Sequence, residues 1–381
     1  MAYLANRAIN RLNIHSGIMT AASASGGAFV AAYLLKAGVS VPMVLCAYAL
    51  IRAGRFAVRP AVLMLGKRLG LRALIMTGAV VIAAEYPVLA QTKGLDLWLL
   101  ALCLITAVGE SLYSTAYHAY FAALGDAEHR GHQTSAREAV NGLSRTLAPI
   151  ACGWGLVALG PQITFGMIAV VQLMSVIPLL GAPQGAVEPL APGAWRAAMR
   201  AAPIYLADGW MSGMGSVLWL AALFVTLSQS YAAYGGAMAA AALVGILFGL
   251  FLGKNIDRGH GTRIVWITFG LVMVSYTSRV IGVTPTLAVL ANTIGAVVGF
   301  FYVPTLLTAA YNLSKAAPCQ FRFQFVGESA WDVGCAAGCL VAAGAIWAGA
   351  PIHGAILLCF VGVAGSFLVL RRYYAGLAVT T

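Results

Sequence analysis

The chain has 381 residues, of which 61% are hydrophobic and 9% charged; its mean hydropathy is +0.87 and its formal net charge +12. Soluble domains carry nearer a quarter charged residues, and no soluble fold of this size hides so much apolar surface from water. These values exclude a soluble enzyme or a soluble nucleic-acid-binding protein and point to an integral membrane protein.

Lipid offers the backbone no hydrogen-bond partner, so the spans must be helices or a closed barrel. The apolar runs are about 20 residues long and lack a period of two, which predicts helices. Twelve spans are predicted, at about 13–35, 40–64, 71–91, 97–122, 137–159 and 162–182, then 203–227, 232–252, 263–283, 286–308, 323–348 and 352–370. Arg7 and Arg11 precede the first run, and no small-residue cleavage site follows it, so the first span is expected to remain in the protein. The stretch 183–202, with Pro183, Pro189 and Pro192, reads as a linker between bundles at 1–182 and 203–381.

With these spans, sixteen of the 23 Lys and Arg residues fall on one side and only Lys36 and Lys93 on the other. The remaining five, Arg52, Arg55, Arg59, Arg145 and Arg279, lie within spans. That bias places both termini and the linker in the cytosol. The positive charge is therefore an orientation signal for an inner cell membrane, not a footprint for nucleic acid.

Six of the seven cysteines sit in apolar runs, and Cys319 falls in a turn assigned to the cytosolic side. They read as small packing residues, with no disulfide framework and no metal site. No His-Glu-x-x-His or phosphate-binding Gly-x4-Gly-Lys motif is present, so neither an enzyme nor a cofactor is expected.

Two turns repeat about half the chain apart. Leu65-Gly66-Lys67 precedes Gly70-Leu71-Arg72, and Leu252-Gly253-Lys254 precedes Gly261-Thr262-Arg263. Arg137-Glu138 and Asn141-Gly142 open span five, much as Gly327-Glu328 and Asp332-Val333-Gly334 open span eleven. His15 and Gly17 in span one correspond to Asp208 and Gly209 in span seven. Parallel six-helix repeats are a known transporter plan. The second turn, Gly253-Lys254-Asn255-Ile256-Asp257-Arg258-Gly259-His260-Gly261, resembles the signature Gly-x-x-x-Asp-Arg-x-Gly of the major facilitator superfamily, with one extra residue before the last Gly; the first turn is shorter and lacks the acid. Ala148-Pro149-Ile150-Ala151-Cys152-Gly153 resembles, in degraded form, a motif of that family's exporters. The resemblance covers the whole chain. It implies an all-α membrane protein of twelve helices in two pseudo-symmetric six-helix bundles. It also implies a cavity lined by spans one, four, seven and ten. A cytosolic latch in this plan would use Gly66, Arg72, Glu138, Asp257, Arg258, Glu328 and Asp332; ordinary helix-end charge is the plainer alternative.

Ionisable groups within spans are costly and are functional candidates by default. Tyr48, Arg52, Arg55 and Arg59 share an arc of about 60° on span two. Arg59 is expected to snorkel to the cytosolic edge. Arg52 would meet a solute anion or pair with Glu110. Glu110, Tyr113, Ser114 and Tyr117 share a face of span four; Trp219 could meet the solute from span seven, and Asn292 of span ten could meet it or bond a neighbouring helix. Glu110 and Asp208 are candidate proton carriers, although an acid near a helix N-terminus also favours the dipole. The Gly-x3-Gly rows at Gly245, Gly249 and Gly253 and at Gly295 and Gly299 read as close helix packing.

The expectation is a monomeric secondary transporter in the bilayer that moves a small organic, anionic solute by alternating access with protons. The alternatives are an exporter of amphipathic compounds or lipids, or a non-transporting sensor or scaffold.

Overall fold

The computed structural model describes residues 6–124, 130–185, 191–252 and 261–380. Every regular element among them is a helix. The long helices are α1 (Arg7–Lys36), α2 (Val41–Leu69), α3 (Leu71–Gln91), α4 (Leu97–Leu124), α5 (Arg130–Ala158) and α6 (Pro161–Leu179). They continue as α7 (Ala202–Thr226), α8 (Tyr231–Leu252), α9 (Gly261–Ile281), α10 (Pro285–Lys315), α11 (Gln320–Trp347) and α12 (Ile352–Gly376). Eleven helices among the described residues are long and apolar enough to cross a membrane. The remaining one, α5, is as long, but Asn141, Ser144, Arg145 and Thr146 dilute its apolar content. A short helix, Ala194–Met199, lies in the stretch expected to be a linker.

Local chemistry sets the helix ends. Asn6 caps α1, its side chain accepting from the Ile9 N–H at 3.1 Å. Asp96 caps α4, its two oxygens accepting from the N–H groups of Leu99 and Lys93, each at 2.9 Å. Thr284 precedes Pro285, whose fixed φ suits the first helical position of α10. The turn between α2 and α3 needs a left-handed residue, and Gly70 supplies φ +79°.

The chain divides into two compact units, residues 1–39 with 53–191 and residues 40–52 with 192–381. Inside the first unit α1 packs on α5 and α6, and α3 on α4 and α6. Inside the second, α7 packs on α11 and α12, and α9 on α10 and α12. The same pairings recur six helices later. A second signature repeats with them: α1 contains a π-helical segment at Ser23–Gly27, and α7 contains one at Gly213–Leu218. Such bulges recur at functional sites.

Each unit has its own buried interior, with Phe29, Tyr86 and Phe165 in the first and Trp219, Phe224 and Tyr234 in the second. Large apolar residues such as Leu97, Trp154, Val157 and Val361 stay exposed, as a lipid-facing surface requires. The α7–α11 contact is close enough to demand glycine on both sides. A Cβ on Gly209 would collide with the Trp331 carbonyl, and one on Gly334 with the Leu206 carbonyl.

Candidate functional site

In the first unit, α2 and α4 carry a linked set of charged and polar groups. Arg55 forms an ion pair with Glu110, and its second terminal nitrogen donates to Ser114 Oγ at 3.4 Å. Ser111 Oγ donates back to the Arg55 carbonyl at 3.3 Å. One turn along α2, Arg59 donates to Thr115 Oγ1 at 2.7 Å. Arg59 is 0% exposed, so the expected snorkelling to the edge does not occur. Its charge lies inside the unit and α4 supplies a hydroxyl for it. The Glu110 ion pair sequence reasoning drew to Arg52 is made by Arg55, three residues further along the same face. Arg52 belongs to the second unit, where its guanidinium lies 5.1 Å from the Trp331 ring centre, a cation–π arrangement. Tyr48 is half-buried one turn before it.

Tyr113 and Tyr117 stack with ring centres 5.4 Å apart. They pack on His15 of α1, a buried residue that sequence reasoning treated only as a marker of the repeat. His15 Nε2 lies 3.1 Å from the Tyr113 hydroxyl, and Nδ1 lies 2.6 Å from the Ser175 carbonyl. The carbonyl can only accept, so Nδ1 carries the hydrogen and Nε2 accepts from Tyr113 in the neutral ring. The Tyr117 hydroxyl is buried without a hydrogen-bond partner among the described residues.

In the second unit, a cavity of about 410 Å³ opens between α7, α9 and α10. Asp208 lines it and is held from two helices. Tyr302 of α10 donates to Oδ1 at 2.8 Å, and Trp331 of α11 donates to Oδ2 at 2.9 Å. Asp208 is thus bound by side chains rather than being spent on the helix dipole. Arg279 of α9 lines the same cavity. It donates to the Gly215 carbonyl at 3.3 Å, inside the π-helical segment of α7. Its guanidinium stacks on Tyr276 and Trp219, 5.0 and 5.4 Å from the ring centres. Gly295 leaves room for it, since a Cβ there would strike the guanidinium. In the sequence Arg279 reads only as a charge within a span, and Tyr302 and Trp331 carry no signal. The repeat register offered the one available signal, by pairing Asp208 with His15.

Trp219 of α7 and Asn292 of α10, both read as solute contacts, are bonded to each other. Trp219 is 1% exposed and its Nε1 donates to Asn292 Oδ1 at 3.0 Å; Asn292 donates in turn to the Ala237 carbonyl at 3.3 Å. Neither lines the cavity. Of the glycine rows, Gly245 packs as expected, with its would-be Cβ 2.9 Å from Phe300. Gly299 does not: a Cβ there meets nothing within 4 Å, because it faces the cavity.

Among the expected latch residues, Arg72 donates to the carbonyls of Ala182 at 2.5 Å and Leu180 at 3.5 Å, within its own unit. The adjoining Leu71 N–H donates to the Gly185 carbonyl at 2.8 Å, so the first repeated turn is strapped to the chain beyond α6. Gly66 is buried at the last turn of α2, its carbonyl accepting from the Gly70 N–H at 3.0 Å. Asp332 is fully buried on α11 and Glu328, one turn before it, is half-buried. Glu138 belongs to α5, with its side chain outside the described residues; Asp257 and Arg258 also lie outside them.

No protein-family model matches the chain, and no curated protein matches it. Solved structures do match along nearly its whole length. A POT family transporter in complex with a thioalcohol-conjugated peptide superposes with TM-score 0.74 at 11% identity, over 96% of this chain and 95% of that one. The human organic anion transporter MFSD10 gives 0.69 at 16% identity, over 97% and 99%. A bacterial homologue of the iron transporter ferroportin, in an inward-facing state, gives 0.67 at 14%, over 97% and 98%. At these identities the likeness is one of architecture, and with the six-helix repeat of packing it establishes that this polytopic chain has the major facilitator fold.

Proposed function

We propose that the protein is a secondary active transporter of the cell membrane that moves a small organic solute with an anionic group by alternating access, in company with protons. The reading has both termini in the cytosol and the chain acting as a monomer. The observation that carries it is the Arg55–Glu110 pair. An ion pair inside a membrane span is costly to desolvate, and such groups mark solute and proton pathways. The two partners are unequally shielded: the Arg55 side chain is 6% exposed and that of Glu110 is 31% exposed. Glu110 is the more open partner of the two, the one we assign to the proton.

The chemistry follows from that asymmetry. A solute carboxylate or phosphate arriving at Arg55 competes with Glu110 for the guanidinium. Released from its partner, Glu110 binds a proton. Solute and proton then cross together, and the pair re-forms after both leave. Ser114, already bonded to Arg55, and the neighbouring Tyr113 supply neutral hydrogen bonds to the solute. Glu138, Asp257, Arg258, Glu328 and Asp332 gate the cytosolic side, while Gly66 and Arg72 brace the turn between α2 and α3. The fold neighbours, which include transporters described with a peptide and for organic anions, are consistent with a small charged solute.

The test is uptake by proteoliposomes across a panel of carboxylates, phosphates and short peptides, with and without an imposed pH gradient. At least one solute should accumulate only with the gradient. Arg55→Met should abolish its uptake, whereas Glu110→Gln should leave exchange but remove the response to pH. Uptake that ignores both substitutions would disprove the assignment.

A further inference from the structure

The cavity of the second unit holds two opposite charges that do not neutralise each other. Asp208 takes hydrogen bonds only from neutral donors, Tyr302 and Trp331. Arg279 contacts a carbonyl and two aromatic faces. Among the described residues neither has an opposite charge within ion-pair distance. Both line one cavity of about 410 Å³, a size typical of small-molecule sites. A lone carboxylate and a lone guanidinium inside a membrane span each cost free energy unless a counter-charge arrives.

The spacing sets the length of what would fit. Arg279 is anchored at Gly215, seven residues beyond Asp208 on α7. That is about 10 Å along the helix at 1.5 Å per residue. A hydrogen bond of about 3 Å at each end leaves several ångströms between the charges of a ligand. A linear molecule with an amine at one end and a carboxylate at the other, as long as an ω-amino acid or a dipeptide, spans the gap. Ser212 and Ser275 supply neutral polar contacts along the wall, and Val298 and Gly299 leave an apolar, unobstructed side for the methylene chain.

We infer that this cavity is a binding site for a linear zwitterion, with its ammonium on Asp208 and its carboxylate on Arg279. Asp208 then receives an ammonium rather than the proton that the sequence suggested. The inference goes beyond the transport reading and concerns equilibrium binding, so it stands or falls separately from the Arg55–Glu110 mechanism.

Isothermal titration calorimetry on the full-length protein in detergent tests it, with 5-aminopentanoate and dialanine as probes. Pentanoate lacks the amine and 5-aminopentanamide lacks the carboxylate. Both zwitterions should bind, and each singly charged analogue should bind at least about tenfold more weakly, a loss of about 1.4 kcal/mol. Asp208→Asn and Arg279→Gln should each weaken zwitterion binding at least about tenfold. Asp208→Asn should also erase the preference for 5-aminopentanoate over pentanoate. Gly299→Leu fills open space rather than breaking a contact; it should block binding while leaving the thermal unfolding midpoint near that of the unmodified protein. Equal binding of pentanoate and 5-aminopentanoate would overturn the proposal, as would zwitterion binding unaffected by Gly299→Leu or no zwitterion binding to the folded protein. Binding without any solute uptake in proteoliposomes would keep this site and remove the transport reading; proton-linked uptake of another solute with no zwitterion bound would do the reverse.

Discussion

Tyr302 reaches from α10 to α7 and donates a 2.8 Å hydrogen bond to Asp208. It fixes one oxygen of a carboxylate whose other oxygen is fixed by Trp331. Hydrogen bonds to charged groups contribute about 1.5–3 kcal/mol each. Tyr302→Phe keeps the ring and removes only the donor, so unfolding in a denaturing-detergent titration should be easier by about 2 kcal/mol. An unchanged titration would mean that the cavity already supplies Asp208 with a substitute donor.

The Arg55–Glu110 pair calls for a double-mutant cycle. Removing one partner of a buried pair strands the other charge and costs about 3–5 kcal/mol, whereas replacing both with apolar groups of similar size is often neutral. Arg55→Met should therefore destabilise strongly, and Arg55→Met with Glu110→Met should recover most of the loss. Additive effects in the cycle would show that the two side chains do not depend on each other for stability.

Glycine substitutions separate contact from open space. Gly209→Ala and Gly334→Ala each push a methyl group into a facing backbone carbonyl and should cost about 1–3 kcal/mol. Gly299→Ala meets nothing and replaces a poor helix former with the best one. It should be neutral or stabilising by up to about 1 kcal/mol. Thermal unfolding of the three variants side by side checks the ordering.

Asp96, outside the spans, gives a pH-dependent expectation. The Lys93 N–H, with help from Leu99, holds its carboxyl below the ordinary value of 3.8 against an opposing desolvation. Its folded pKa is thus depressed. The cap contributes fully above that ordinary value, and its contribution is lost as pH falls through the lower folded one. Asp96→Asn, which keeps an acceptor, should flatten the fall in stability between about pH 4 and the lower folded value relative to the parent protein. Parallel melting curves across that range would reveal a persisting slope if other acids dominate it.

Eleven spans among the described residues were legible because runs of about 20 apolar residues dominate the local signal there. The repeat was legible too, through the Gly66 and Gly253 turns, and the structure adds the matching π-helical segments in α1 and α7. Which arginine reaches Glu110 was not legible. Arg52 and Arg55 share one face of α2, and the choice depends on how far α2 is shifted along α4, which no periodicity encodes. Arg59 misled for a related reason: snorkelling is the default for an arginine near a span end, yet Thr115 offers it a partner inside. Trp219 and Asn292 bond to each other across helices that the sequence does not pair. The cavity was hidden because Asp208, Arg279 and Tyr302 come from three helices, and its open side is Gly299, a residue that reads as packing in any linear pattern.

Proton movement coupled to solute through Glu110 is the claim on which the account turns. The direct measurement is internal pH, followed by a trapped fluorescent indicator in proteoliposomes, when a transported solute is added outside at equal pH. The account predicts acidification with the parent protein and none with Glu110→Gln, although the variant still exchanges labelled for unlabelled solute. Equal acidification with Glu110→Gln, or solute entry with no pH change in the parent protein, would contradict it.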